Sequence, residues 1–246
     1  LGESKQRATI QSLEIIFYKL AICYFFTGNF EEAEKAFQTY EKRYPKGPWV
    51  PEGNLYIADG LRFRGKNEKA LKAYQDCLAK YRDRYDSDQR TDILCSMVRI
   101  YILKEDWKSP QPLLAEIYST APDSSRRNWA ATIWTIAYLK EREIEKVFRL
   151  VPLLLQPDSF ASRSVALNLA ALEAGDELFA EEYYRDALWI YRLIYPRDVL
   201  MLNMERYLAS LQRLSERLKK RGDKLRALMR VQERIGEVEN EIAALQ

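Results

Sequence analysis

Two acid-rich stretches are the first candidates for chemistry. "NFEEAEKAF" at 29–37 and "ELFAEEYY" at 177–184 each bring several carboxylates close together. A pair of carboxylates is the minimal equipment for general acid–base work. Both stretches have helical spacing and Lys or Arg neighbours, which is the composition of a solvated helix face. The chain has 0 histidines, which removes the commonest general base and metal ligand and any Ser-His or Cys-His nucleophile pair. Its three cysteines, Cys23, Cys77 and Cys95, are far apart and form no CxxC. They suit neither a disulfide framework nor a zinc site and are expected to pack as small apolar residues, with no disulfide within the chain. No Gly-rich phosphate loop and no GxSxG elbow occurs. The reading is therefore non-enzymatic, with no catalytic, cofactor-binding or metal-binding residue assigned and no small-molecule substrate.

Composition is consistent with this. The chain has 246 residues, 47% of them hydrophobic and 12% aromatic, with 30% charged and a net charge of +3. That is enough apolar material for a core, and the net charge is too small to point to nucleic acid. The nine Gly and nine Pro are few for a sandwich or barrel with many tight turns. No stretch approaches the ~18 apolar residues of a membrane span. The first residue is Leu1 rather than Met, so we expect a trimmed fragment that has lost any leader or lipid-anchoring cysteine.

The elements that carry these side chains are legible from an internal repeat. "LAICYFFTGNFEEAEKAFQTYEKRYP" (20–45) and "IADGLRFRGKNEKALKAYQDCLAKYR" (57–82) align by Gly28 and Gly65. Ala21 then falls on Ala58, Ala33 on Ala70, Phe37 on Tyr74 and Tyr44 on Tyr81, each 37 residues apart. Apolar residues three and four apart flank each glycine, which marks two amphipathic helices. The glycines can take the positive φ that ends a helix, and Asn29 and Asn67 are expected to cap the next one. The small residues belong where two helices cross closely. A third copy fits Leu94, Met97, Val98, Tyr101, Leu114, Ile117 and Pro122, with Pro110 acceptable only in a first helical turn. A fourth, from Trp129 to Pro157, keeps only the periodicity. A fifth recovers Gly175, Ala180, Tyr184 and Ala187.

This pattern resembles the tetratricopeptide repeat, a helix pair with small and aromatic residues at fixed places and a closing Pro. Phe17, Leu20, Ala21, Tyr24, Ala33, Phe37, Tyr40 and Pro45 fill the signature in copy one. Copy two has Ile57, Ala58, Leu61, Ala70 and Tyr74, with Arg82 in place of the Pro. The "RYP" and "IYP" endings, at 43–45 and 194–196, resemble repeats of bacterial envelope proteins. That likeness implies a periplasmic or outer-membrane-periphery setting rather than the cytoplasm.

The resemblance implies an all-α fold: a right-handed α-solenoid of about five helix-turn-helix hairpins over 1–196, then a long, coiled-coil-like C-terminal helix over 197–246. It also implies a concave groove lined by the first helix of each pair. The family's groove positions fall on Tyr18, Ile22, Phe25 and Phe26, on Leu55, Asp59, Arg62 and Phe63, and on Cys95, Arg99, Ile102 and Leu103. A groove of this kind would hold a partner's peptide or amphipathic helix; the competing expectation is that the chain covers these residues itself.

In the tail, Met204, Tyr207, Leu211, Leu214 and Leu218 follow a 3–4 spacing. Leu225 and Leu228 continue it past a break at Arg221, and Val231, Ile235, Val238, Ile242 and Leu245 follow in a shifted phase; Leu225 to Leu245 form the expected interaction seam. Gly222 is the one strong turn signal. The tail is one helix or a hairpin folded there, and the expectation leans to the continuous helix. Its late half, Val231 to Leu245, is expected to find no surface among the repeats and to be available for self-association or a partner. Between Arg206 and Arg234 stand ten Lys or Arg against three acids. Tyr207 is the one aromatic in this run, which reads as a solvated helix face rather than a nucleic-acid or membrane site. The expected role is a protein-interaction scaffold in a larger assembly. The alternative is a structural oligomer built through the tail.

Overall fold

The computed structural model describes residues 2–154, 160–221 and 225–246, with side-chain environments from Leu13 onward and excepting Leu153. The described residues form twelve α-helices, two short 3-10 turns and no strand. The chain divides into two compact units, Leu1–Asp106 with Thr120–Pro122, and Trp107–Ser119 with Asp123–Gln246.

The first unit holds α1 (Gly2–Phe26), α2 (Phe30–Arg43), α3 (Val50–Phe63), α4 (Asn67–Tyr81) and α5 (Ser87–Leu103), with a 3-10 turn at Arg82–Arg84. α1 packs on α2 and α3 on α4 as hairpins, and α2 packs on α3 to join them. The second unit holds α7 (Ser124–Lys140), α8 (Ile144–Leu154), a 3-10 turn at Phe160–Arg163, α9 (Val165–Ala180), α10 (Tyr184–Tyr191), α11 (Arg197–Arg221) and α12 (Leu225–Leu245). α6 (Gln111–Thr120) belongs to it but for its last residue.

One turn geometry recurs. Gly28, Gly65, Glu105, Arg142 and Glu182 all have φ between 55° and 79°, and they stand 37, 40, 37 and 40 residues apart. At each, the residue's N–H donates to the carbonyl three back and the next N–H to the carbonyl five back from itself. Examples are Gly28 to Phe25, Asn29 to Tyr24, Glu182 to Phe179 and Tyr183 to Leu178. This is the Schellman closure, which satisfies the last carbonyls of a helix. Five helix ends therefore share one backbone rule, although only the first two use glycine.

The crossing positions share a rule too. Ala21 with Ala33, Ala58 with Ala70, Thr135 with Val147, and Gly175 with Ala187 are all buried, and Val98 and Pro110, at the same registers, are each buried within their own unit. A Cβ on Gly175 would come within 2.4 Å of the Tyr191 ring, so only glycine fits that crossing. Two expected caps do not form: Asn29 makes no side-chain cap bond, and the cap of α4 is Lys66, with Asn67 already helical. The Schellman turn brings both residues in at φ near −80° and ψ near 60°, outside the extended conformation typical of a capping side chain. Caps form instead where the chain arrives extended, at Asp86, Asp123 and Ser164.

The tail is a hairpin, not one long helix. Arg197 at the start of α11 donates to the carbonyls of Leu245 and Gln246 at the end of α12, at 2.6 Å and 2.9 Å. The two helices are therefore antiparallel, with a cation at the negative end of the α12 dipole. Gly222, the expected folding point, lies outside the described residues. Folding packs the two apolar seams against each other, which a single straight helix could not do, and leaves Leu214 and Leu225 exposed. The expected boundary at 196/197 falls inside the second unit, because α11 also packs on the 3-10 turn at Phe160–Arg163.

Candidate functional site

The Schellman turns fix where the first helix of each hairpin stops. Two residues before the left-handed position stand Phe26, Phe63 and Leu103 in the first unit, and all three are open to solvent, at 41%, 36% and 70%. One register thus presents a large apolar side chain in three successive hairpins. The same register in the second unit holds Lys140 and Ala180, so the stripe belongs to the first unit.

Beneath the stripe lies an aromatic network. Phe63 stacks on Phe30 at 5.4 Å, and Phe25 meets Phe26, Phe30, Tyr56 and Phe63 edge-on at 4.9–6.2 Å. Such pairs add about 0.5–1.5 kcal/mol each beyond their burial and hold the rings in place. The Arg62 guanidinium lies 4.5 Å from the centre of the Phe63 ring. Beside the stripe, one ion pair repeats between consecutive hairpins: Arg64 with Glu31 at 3.3 Å, and Lys104 with Glu68 at 2.5 Å. Exposed pairs of this kind add little to stability, but they fix the charge pattern of the edge.

Of the expected groove residues, Phe26, Phe63 and Leu103 are exposed. Ile22, Arg62, Cys95, Arg99 and Ile102 are half-buried. Tyr18 is half-buried and stacked on Trp49 at 5.2 Å. Three are corrected. Phe25, Leu55 and Asp59 are buried in the packed helices, beyond the reach of a docked chain. Asp59 accepts a hydrogen bond from the Tyr74 hydroxyl at 2.5 Å, which makes a buried carboxylate tolerable. The groove pattern treats each helix alone, whereas the following hairpin covers these positions: Phe25 lies under Tyr56 and Phe63.

The seam is corrected as well. Val238 is buried with Met204 and Leu211, and Val231, Ile235, Ile242 and Leu245 pack on that cluster with Tyr207, Leu208 and Val165. Leu228 is half-buried, and only Leu225 remains exposed. The late half of the seam does have a matching surface, made by α11 and the start of α9. Polar contacts close the same junction. Arg163 lies 4.0 Å from the centre of the Tyr207 ring and Arg234 lies 5.8 Å from it. Arg234 also pairs with Glu237 at 2.7 Å and Glu241 at 3.4 Å. Burial raises the Glu241 carboxyl above its ordinary value, against the pull of Arg234.

Sequence reasoning missed a cleft of about 440 Å³ between α8 and α10, lined by Phe148, Val151, Pro152, Arg185, Asp186 and Trp189. Its signal was the run of large exposed apolar residues on a short helix. Among the described residues no group of three potential metal ligands comes together, and no helix is long and apolar enough to cross a membrane.

Five helix ends closed by one turn geometry, at spacings of 37 and 40 residues, define an all-α helical-repeat fold. Residues 16–47 match the tetratricopeptide repeat family model. No curated protein matches the sequence. Solved structures with a similar fold include a Podosopora anserina protein of nearly identical TPR-like repeats, with 15% identity over 72% of this chain and 90% of that one and a TM-score of 0.46. A Rap protein complexed with Competence and Sporulation Factor has 15% identity over 97% and 66%, with a TM-score of 0.46. Pseudomonas aeruginosa pilF has 16% identity over 91% and 98%, with a TM-score of 0.39.

Proposed function

We propose that the protein is a non-enzymatic interaction scaffold whose first unit docks a peptide or amphipathic helix of a protein partner. The observation that carries this reading is the stripe Phe26–Phe63–Leu103, with one large apolar side chain at the same register of three hairpins. Apolar anchors repeated at one register, with cations at the edge, suit a ligand that repeats its own apolar residues, as an amphipathic helix does. Aromatic anchors held by their neighbours lose little freedom on binding. The alternative of assembly through the tail seam loses support, because α11 covers that seam. The Tyr-Pro endings at 44–45 and 195–196 support an envelope setting, which fractionation of the source cells tests.

The direct test is photo-crosslinking from within the source cells. A photoreactive residue at position 63 or 103 should give discrete protein adducts. The same residue at Lys72, exposed on α4, should give none. Equal labelling from all three positions would reject the stripe as the docking face.

A further inference from the structure

One ring pair is built twice. Phe25 and Phe30 meet edge to face at 5.2 Å and 68° across the Schellman turn at Gly28. Phe179 and Tyr184 meet at 5.2 Å and 69° across the turn at Glu182. Each time one ring stands three residues before the left-handed residue and the other two residues after it. At the other three turns these registers hold Arg62 with Asn67, Ile102 with Trp107, and Leu139 with Ile144, so none of them carries the pair.

The first copy of the pair has a roof. α3 crosses it with Tyr56 at 4.9 Å from Phe25 and Phe63 stacked on Phe30 at 5.4 Å. Gly60 lies between those two rings of α3. A Cβ there would be 3.5 Å from Phe30 and 3.7 Å from Phe25, so the helix sits this close because the residue is small. Arg64, next to Phe63, pairs with Glu31 at 3.3 Å and also with Glu34. Beneath this roof Phe25 is 3% exposed.

The second copy has no roof. Phe179 is 57% exposed and Tyr184 56%. The chain does not continue the stack after α10, because α11 packs on α12 and on the 3-10 turn at Phe160–Arg163. Charge beside the pair is also reversed. Arg185 stands at the register of Glu31, and Leu188 at that of Glu34. Both are exposed, and Arg185 makes no ion pair among the described residues.

We infer that Phe179 and Tyr184 form a docking site for a helix of a protein partner, seated on them as α3 is seated on Phe25 and Phe30. The partner helix carries a small residue with an aromatic three positions on, as Gly60 and Phe63 are placed. An acid follows the aromatic, where α3 has Arg64, and meets Arg185. The α3 of a second copy is a poor occupant. It is packed within its own unit, with Tyr56 and Gly60 buried, and its Arg64 would face Arg185. Such like-charge contacts exclude wrong partners. Two rings already locked edge to face lose little freedom when a helix covers them. The site belongs to the second unit and does not rest on the stripe of the first.

The probe is an alanine-based helical peptide with Tyr, Gly, Phe and Glu at the spacing of Tyr56, Gly60, Phe63 and Arg64. Circular dichroism checks its helicity, and fluorescence anisotropy of a labelled copy measures binding to the full chain. The parent should bind it. Phe179→Asp, or Tyr184→Ala if that variant does not fold, should weaken binding at least tenfold. Leu in place of the peptide's Gly should do the same. Arg in place of the peptide's Glu should weaken binding to the parent and strengthen binding to Arg185→Glu. Four results would overturn the inference. One is a helical peptide that the parent does not bind. Another is binding that Phe179→Asp leaves unchanged, which puts the peptide elsewhere on the chain. The third is equal affinity of the parent for the Glu and Arg peptides. The fourth is a parent that sediments as a dimer and is dissociated by Phe179→Asp, which makes a second copy the occupant.

Discussion

Tyr74 donates its hydroxyl hydrogen to Asp59 at 2.5 Å, and Tyr191 does the same to Asp176 at 2.6 Å. The two pairs stand at one register of the second and fifth hairpins, 117 residues apart. In the first hairpin the same two positions are Ile22 and Phe37, and in the third Arg99 and Leu114. The carboxylate thus appears where the tyrosine does.

The two pairs differ in burial, and that difference predicts their energies. Asp59 and Tyr74 are buried, whereas Asp176 is exposed. Tyr74→Phe leaves a buried carboxylate short of a donor, at a cost of about 1–3 kcal/mol. Tyr191→Phe should cost much less, because water replaces the hydroxyl. Urea denaturation of both variants checks the order. Equal losses would mean that Asp59 is solvated.

Three of the five Schellman turns place a non-glycine residue at positive φ, which costs about 1–2 kcal/mol relative to glycine. At Arg142 the side chain recovers some of this by pairing with Glu181 at 2.5 Å. Glu105 makes no such pair among the described residues. Glu105→Gly should therefore raise the melting temperature, by up to about 1 kcal/mol of stability. Gly28→Ala and Gly65→Ala should lower it by a similar amount. A Glu105→Gly variant that melts lower than the parent would contradict the assigned turn.

Crossing positions should resist enlargement. Ala33→Leu and Ala70→Leu each overpack a buried helix contact, at about 1–3 kcal/mol. Gly175→Ala should also destabilise, since its Cβ runs into the Tyr191 ring. Thermal unfolding measures all three, and parental melting in all of them would displace the repeat register.

Alkaline pH should weaken the first unit. Burial, with the Glu41 carboxylate next, pushes the Tyr81 phenol up to about 12. Burial and the hydrogen bond to Glu14 raise Tyr40 as well. The folded state keeps these protons after unfolded tyrosines have lost theirs near pH 10. The stability gained is fully present below about pH 10 and is lost as pH rises through about 12. Denaturation midpoints should fall between about pH 10 and 12, and less steeply in Tyr81→Phe. An unchanged slope in that variant would exclude Tyr81 as a source.

The tail hairpin gives the last prediction. Leu228→Asp with Ile235→Asp should strip hydrogen-exchange protection from α11 as well as α12, because Ile235 packs on the Met204–Leu211–Val238 cluster. It should leave the state of assembly unchanged. A drop in mass with α11 still protected would return the seam to intermolecular use.

The sequence by itself determined the hairpins, because each depends on neighbours close in the chain. The offset from Gly28 to Gly65, the paired alanines and the 3–4 spacings are local rules of turn and helix. They also locate Phe26, Phe63 and Leu103, which lie at a fixed distance from a turn. Tertiary structure alone decided what covers what. Phe25 and Phe179 have the same residue type at the same register, yet one is buried by the next hairpin and the other is open. Leu55 and Asp59 fit a groove pattern and are core. The seam from Val231 to Leu245 would have looked the same in one straight helix as in the hairpin that buries it. Periodicity gives the apolar side of a helix, but burial depends on which other element arrives there, and that is fixed by contacts tens of residues apart.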